Sequence, residues 1–127
     1  RRRLAFDELL LWQLKAKADR MRWQKTMKAT AFTVQKNDLA ALIESLPFVL
    51  TSDQTRATRD IMIDLQKTVP MNRLLVGDVG SGKTVVAAIA MYVALRNGAS
   101  SLLMAPTEIL AKQHEQTISA LGCKRTW

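Results

Sequence analysis

Apolar residues first recur at helical spacing. Leu10, Leu14, Ala18 and Met21 make one stripe, and no Pro or Gly interrupts residues 4–29, so the pattern predicts one long helix there. Lys15 and Asp19 sit four apart, as do Ala18 and Arg22, so charged and apolar faces run side by side. A helix this long and basic is expected to pack on another domain, with Trp12 and Trp23 as packing residues. Residues 30–37 are a weakly patterned connection. Asp38 is placed to cap a short helix through Leu46, which Pro47 ends. After the apolar Phe48-Val49-Leu50, Thr51-Ser52-Asp53-Gln54 has the Thr-x-x-Gln form of a capping box. Ala57, Ile61 and Leu65 at i, i+4 and i+8 carry the next helix to about Lys67, and Val69-Pro70-Met71 is a turn.

The pattern then changes. Leu74-Leu75-Val76 reads as a short buried strand, followed by the glycine-rich loop 77–82. Residues 83–96 form an apolar helix through Val85, Val86, Ile89, Ala90, Val93 and Ala94, and Asn97-Gly98 is its stop signal. Residues 100–105 read as a second strand. Pro106-Thr107 opens a helix to about Leu121, ended by Gly122. Strand, loop, helix, strand is a βαβ unit, so the expected class is α/β, with the two strands parallel and the crossover right-handed. No internal repeat or low-complexity tract is visible.

The chain has 127 residues, 48% hydrophobic and 24% charged, enough for one modest core. No apolar run approaches the 18 residues of a membrane span, and no signal-peptide core follows the opening Arg-Arg-Arg. The lone Cys123 cannot form an internal disulfide, and the lone His114 cannot complete a structural zinc site. Cytoplasmic residence is the expectation, and the absence of an initial Met suggests a piece of a longer protein. The net charge of +8 is uneven: residues 1–36 hold ten Lys/Arg against three Asp/Glu, residues 37–127 nine against eight. That asymmetry points to nucleic acid, or to a solvated helix face without a partner.

The candidate chemistry lies in Gly77-Asp78-Val79-Gly80-Ser81-Gly82-Lys83-Thr84, which fits the phosphate-loop pattern G-x-x-x-x-G-K-[ST] in full. Glycines let the backbone approach phosphate closely, and successive N–H groups then point at its oxygens. The helix opening at Lys83 adds its N-terminal dipole. Lys83 is expected to reach the β- and γ-phosphates of ATP, and the Thr84 hydroxyl to ligate Mg²⁺. The bland alternative is a plain glycine turn between strand and helix.

Longer stretches carry a family resemblance. Leu46-Pro47-Phe48-Val49-Leu50-Thr51-Ser52-Asp53-Gln54 resembles the approach to a superfamily 2 helicase motor. Pro70-Met71-Asn72-Arg73-Leu74-Leu75 leads into the loop, and Ala105-Pro106-Thr107-Glu108-Ile109-Leu110-Ala111 follows with Gln113-His114. The combination is similar to the RecG family, bacterial ATP-dependent helicases that remodel branched DNA, and Arg-Arg-Arg-Leu-Ala-Phe-Asp-Glu-Leu-Leu resembles their stretch between wedge domain and motor. The resemblance implies a RecA-like P-loop helicase lobe preceded by a long basic helix, with residues 1–46 as a helical linker region and 47–127 as the incomplete start of the ATP-binding lobe. It implies that Lys83 and Thr84 act on phosphate and Mg²⁺, that Gln54 reads the adenine edge with Phe48 near the base, and that Pro106, Thr107 and Glu108 touch the DNA backbone. It further implies action at stalled replication forks, in repair and recombination; the oligomeric state stays open, with a monomeric whole protein as the expectation.

The sequence departs from that family in places. Val76 stands where the family usually has Gln, and Lys124-Arg125-Thr126-Trp127 does not continue into the expected apolar strand. The family's acidic Asp-Glu motif, second motor lobe and wedge domain are not in this stretch, so the chain alone is not expected to unwind DNA. Alternatives remain: a transcription-repair coupling factor, whose loop usually has Phe at Ser81 and Glu at Val85; another P-loop enzyme; a non-catalytic nucleic-acid-binding module; or a truncated product with no stable fold.

Overall fold

Five helices follow one another in the computed structural model, which describes residues 2–120: α1 (Arg2–Thr26), α2 (Lys36–Glu44), α3 (Ser52–Leu65), α4 (Lys83–Arg96) and α5 (Glu108–Ala120). Leu121 and Gly122, expected to close the last helix, lie outside the described residues.

α4 is the centre. Its apolar residues run all round the helix, so it needs cover on several sides. α2, α3 and α5 each pack against it. Val85, Val86, Ile89 and Val93 of α4 join Leu42 and Leu46 from the α2 region and Ile61 and Met62 of α3 in one buried cluster. Each such side chain contributes about 1.5–3 kcal/mol of burial. Thr58 of α3 is also buried, and its hydroxyl has no partner among the described residues. α4 ends as its sequence predicts: Gly98 N–H donates to the Leu95 carbonyl and Ala99 N–H to the Ala94 carbonyl, both 2.9 Å, the paired bonds of a Schellman stop.

The N-terminal third differs from expectation in three ways. α1 stops at Thr26 rather than 29, and the Thr26 hydroxyl donates to the Arg22 carbonyl. Beyond it the chain lies along the end of α3, with Ala29 N–H donating to the Thr68 carbonyl and Phe32 N–H to that of Leu65. α2 starts at Lys36, so Asp38 is not its cap but stands in its first turn. The Asp38 carboxylate instead accepts two bonds from Arg96 of α4, at 2.9 and 2.7 Å. The stop residue Asn97 has a second task, because its side-chain amide exchanges two hydrogen bonds with the Thr33 backbone, fixing the connection onto α4. α1 itself packs on none of the other four helices, and Phe6, Leu9, Leu11 and Trp12 are exposed.

The two expected strands do not form. Residues 72–78 and 99–105 carry no ladder pairing among the described residues. Leu74, Val76, Leu102 and Met104 are 80–88% exposed. The physical reason is that a strand exists only through a neighbour, and neither segment has one here. Among the described residues no helix is long and apolar enough to cross a membrane.

Candidate functional site: a glycine-rich loop at the start of α4

Three side chains or gaps decide the shape of this loop. Gly80 and Gly82 take left-handed φ of +81° and +76°, where any other residue is strained by about 1–2 kcal/mol. Gly77 lets the loop close tightly instead: a Cβ there would meet Ser81 Oγ at 2.7 Å, so the serine hydroxyl would have to turn away. The loop folds back through Ser81 N–H to the Asp78 carbonyl, 3.2 Å.

Lys83 closes over this loop. Its ammonium donates to the carbonyls of Gly77 (2.8 Å) and Asp78 (2.6 Å) and lies 3.4 Å from Ser81 Oγ. These are neutral acceptors, and a phosphate oxygen would hold the same ammonium through a stronger, charge-assisted bond. The N-cap of α4 is Gly82, with no side-chain cap and no acid in the first turn. The helix therefore presents its N-terminal N–H groups and positive dipole end to whatever lies above the loop. The donor set is cationic and backbone N–H, with the hydroxyls of Ser81 in the loop and Thr84 at its base. It suits a polyphosphate with a hard cation.

Gln54 joins the loop from α3. Its Oε1 accepts from Thr51 N–H (2.9 Å), while Thr51 Oγ1 accepts from Gln54 N–H (3.2 Å), so the expected capping box is formed. Its Nε2 donates to the Ser81 carbonyl at 2.9 Å, so both amide atoms are engaged within the protein. A Cβ on Gly82 would sit 2.4 Å from that Nε2. The bond to Ser81 spans 27 residues and leaves no signal in the sequence. Phe48 is exposed in the bend between α2 and α3, outside the packed core.

Arg73 anchors the run into the loop. It bonds the Asp64 carboxylate at the last turn of α3, shared with Lys67, and lies 3.5 Å from Asp60. The hydrogen bond from Arg73, then that from Lys67, holds the Asp64 pKa down at about 2, and the same bond raises that of Arg73. Hydrogen bonds from Arg96 to Asp38 likewise raise the Arg96 pKa.

Pro106, Thr107 and Glu108 stand exposed where α5 opens. Thr107 Oγ1 accepts from Leu110 N–H (3.3 Å), and Glu108 pairs with Lys112 (2.7 Å). One contact escaped the sequence reading: Thr84 Oγ1 lies 3.5 Å from His114 Nδ1 on α5.

A glycine loop closed by a lysine on an uncapped helix, followed by a second helix whose opening is exposed, defines a class. Residues 51–126 match the DEAD/DEAH box helicase family, and the chain belongs to it. Residues 51–120 accordingly form part of a RecA-like helicase lobe.

Within that family the similarity is to RecG. The chain is 46% identical over 121 residues to the ATP-dependent DNA helicase RecG of Bacillus subtilis (strain 168), covering 95% of this chain and 18% of the relative. It is 46% identical over 118 residues to RecG of Synechocystis sp., covering 93% and 14%. It superposes on the solved structure of RecG bound to a three-way DNA junction with a TM-score of 0.84 and 40% identity, covering 98% of this chain and 17% of that one. The chain thus spans less than a fifth of the length of these relatives.

Proposed function

We propose that this chain is the nucleotide-binding opening of a RecG-like, ATP-dependent DNA helicase, cytoplasmic and monomeric, that acts on branched DNA in replication-fork repair and recombination. The observation that carries the reading is the start of α4, left uncapped beneath a glycine loop that Lys83 covers. In this reading Gly77 to Gly82 cradle the phosphates of ATP, and Lys83 exchanges its carbonyl partners for β- and γ-phosphate oxygens. The Thr84 hydroxyl ligates Mg²⁺, which supplies charge neutralisation on those oxygens. Gln54 and Phe48 border the base, and Pro106, Thr107 and Glu108 meet the DNA backbone.

The fold completes the proposal. Residues 72–78 and 99–105 take strand positions in an α/β sheet once neighbouring strands flank them. Leu74-Leu75-Val76 and Leu102-Leu103-Met104 are apolar on both faces, as buried parallel strands are. A groove of about 500 Å³ lined by Met91, Leu95, Leu103, Ala105 and Ile118 offers one such neighbour a packing surface. Residues 1–46 serve as the linker region and 47–127 as the start of the lobe. The linker's Leu39, Leu42 and Leu46 pack on the core around α4.

A chimera tests this. The stretch replaces its counterpart in B. subtilis RecG, and ATP-driven unwinding of a three-way DNA junction is measured. The chimera is expected to unwind, and its Lys83→Ala version to bind the junction without unwinding. A folded chimera that binds the junction but never hydrolyses ATP would contradict the proposal.

A further inference from the structure

Thr84 is the residue on which Mg²⁺ depends in the proposed site, and its hydroxyl is approached from another helix. His114 Nδ1 stands 3.5 Å from Thr84 Oγ1, in a partly buried contact between α4 and α5. A hydroxyl that ligates a cation uses an oxygen lone pair and has one proton to give. With no acceptor it samples its staggered rotamers. A neutral imidazole protonated on Nε2 offers Nδ1 as that acceptor. The separation lies at the long edge of hydrogen bonding. α4 and α5 pack together, and Ile118 of α5 is buried.

We infer that His114 is a positioning residue for Thr84: it fixes the hydroxyl so that the oxygen lone pair faces the metal site. This rests on the reading of Thr84 as the Mg²⁺ ligand. His114 sits two turns into α5, and the Thr107 hydroxyl fixes the start of that helix.

Two measurements on this chain test it. His114 is its one histidine, so ¹⁵N spectra of the imidazole report on it alone. The Nδ1 resonance is expected to move on Thr84→Val and the Nε2–H tautomer to dominate in wild type. An Nδ1 signal indifferent to Thr84→Val overturns the contact, whatever binds the loop.

The second is the Mg²⁺ requirement for binding a fluorescent ATP analogue, with the affinity in EDTA as reference. His114→Phe keeps a ring but removes the acceptor. It is expected to raise the Mg²⁺ concentration needed by about fivefold, the worth of one neutral hydrogen bond, at unchanged affinity in EDTA. His114→Asn, with its carbonyl oxygen near the Nδ1 position, is expected to restore most of it. An unchanged requirement in His114→Phe, while wild type binds with Mg²⁺, sinks the role of His114 alone. Equal losses in Mg²⁺ and in EDTA, without rescue by Asn, reduce it to packing. No Mg²⁺-dependent binding by wild type contradicts the Thr84 reading and this inference together.

Discussion

The N-termini of α3 and α4 touch and are built in opposite ways. α3 is closed by its own residues, with Thr51 and Gln54 exchanging side-chain and backbone bonds. α4 begins at a left-handed glycine with no side-chain cap and no acid in its first turn. Gln54 bridges the two, bonding the Ser81 carbonyl. The closed terminus stabilises its helix; the open one leaves N–H groups and dipole for an external anion. The difference teaches that a missing cap on a well-buried helix is a functional feature when the residues above it are shaped to admit phosphate.

The largest expected effect comes from disturbing the open end. Gly82→Ala adds a Cβ 2.4 Å from Gln54 Nε2 at a φ of +76°. It is expected to abolish nucleotide binding and, from backbone strain of about 1–2 kcal/mol, to lower Tm by on the order of 5–10 °C. Adding Gln54→Ala removes the collision but not the strain, and it also removes the bonds of Gln54 to Thr51 N–H and the Ser81 carbonyl, so the double variant should stay less stable than Gln54→Ala alone; equal Tm in the two would show that strain plays no part. Breaking the closed end is milder and of a different kind. Thr51→Ala is expected to cost about 1 kcal/mol of stability, read as a few degrees of Tm, with nucleotide affinity changed less than twofold. A larger affinity loss than stability loss would show that the α3 cap belongs to the binding site.

The smallest effect sharpens the contrast at the other end of α3. Asp64 has a folded pKa of about 2 against an ordinary 3.8, lowered first by its hydrogen bond from Arg73. Because the folded value is depressed, the stabilisation is complete above about pH 4 and is lost as pH falls toward 2. Tm measured across that window should fall less steeply in Asp64→Asn than in wild type. Parallel curves would place the acid sensitivity elsewhere.

What was legible in the sequence follows from what each signal depends on. The helices of residues 52–65 and 83–96, their capping box and their Schellman stop depend on residues close in sequence, and all formed near the expected positions. The strands depend on partners, and Leu74 and Leu102 carried strand character without a neighbour to pair with. α1 has the same lesson from the other side: its stripe of Leu10, Leu14 and Met21 is a sound helical pattern, but no periodicity says what covers it, and among the described residues no other helix does. In the site, the loop glycines and Lys83 were legible because the motif is contiguous. The Gln54 bond to Ser81, the Asn97 clasp on Thr33 and the approach of His114 to Thr84 cross 27, 64 and 30 residues, where spacing carries no information.

In the proposed function the start of α4 is a nucleotide site held by Lys83. Its most direct test is Mg²⁺-dependent binding of a fluorescent ATP analogue to this chain and to Lys83→Ala, with circular dichroism on both. Saturable binding by wild type is expected, lost in Lys83→Ala at unchanged helix content. Equal binding by both, or none by a folded wild type, would contradict it.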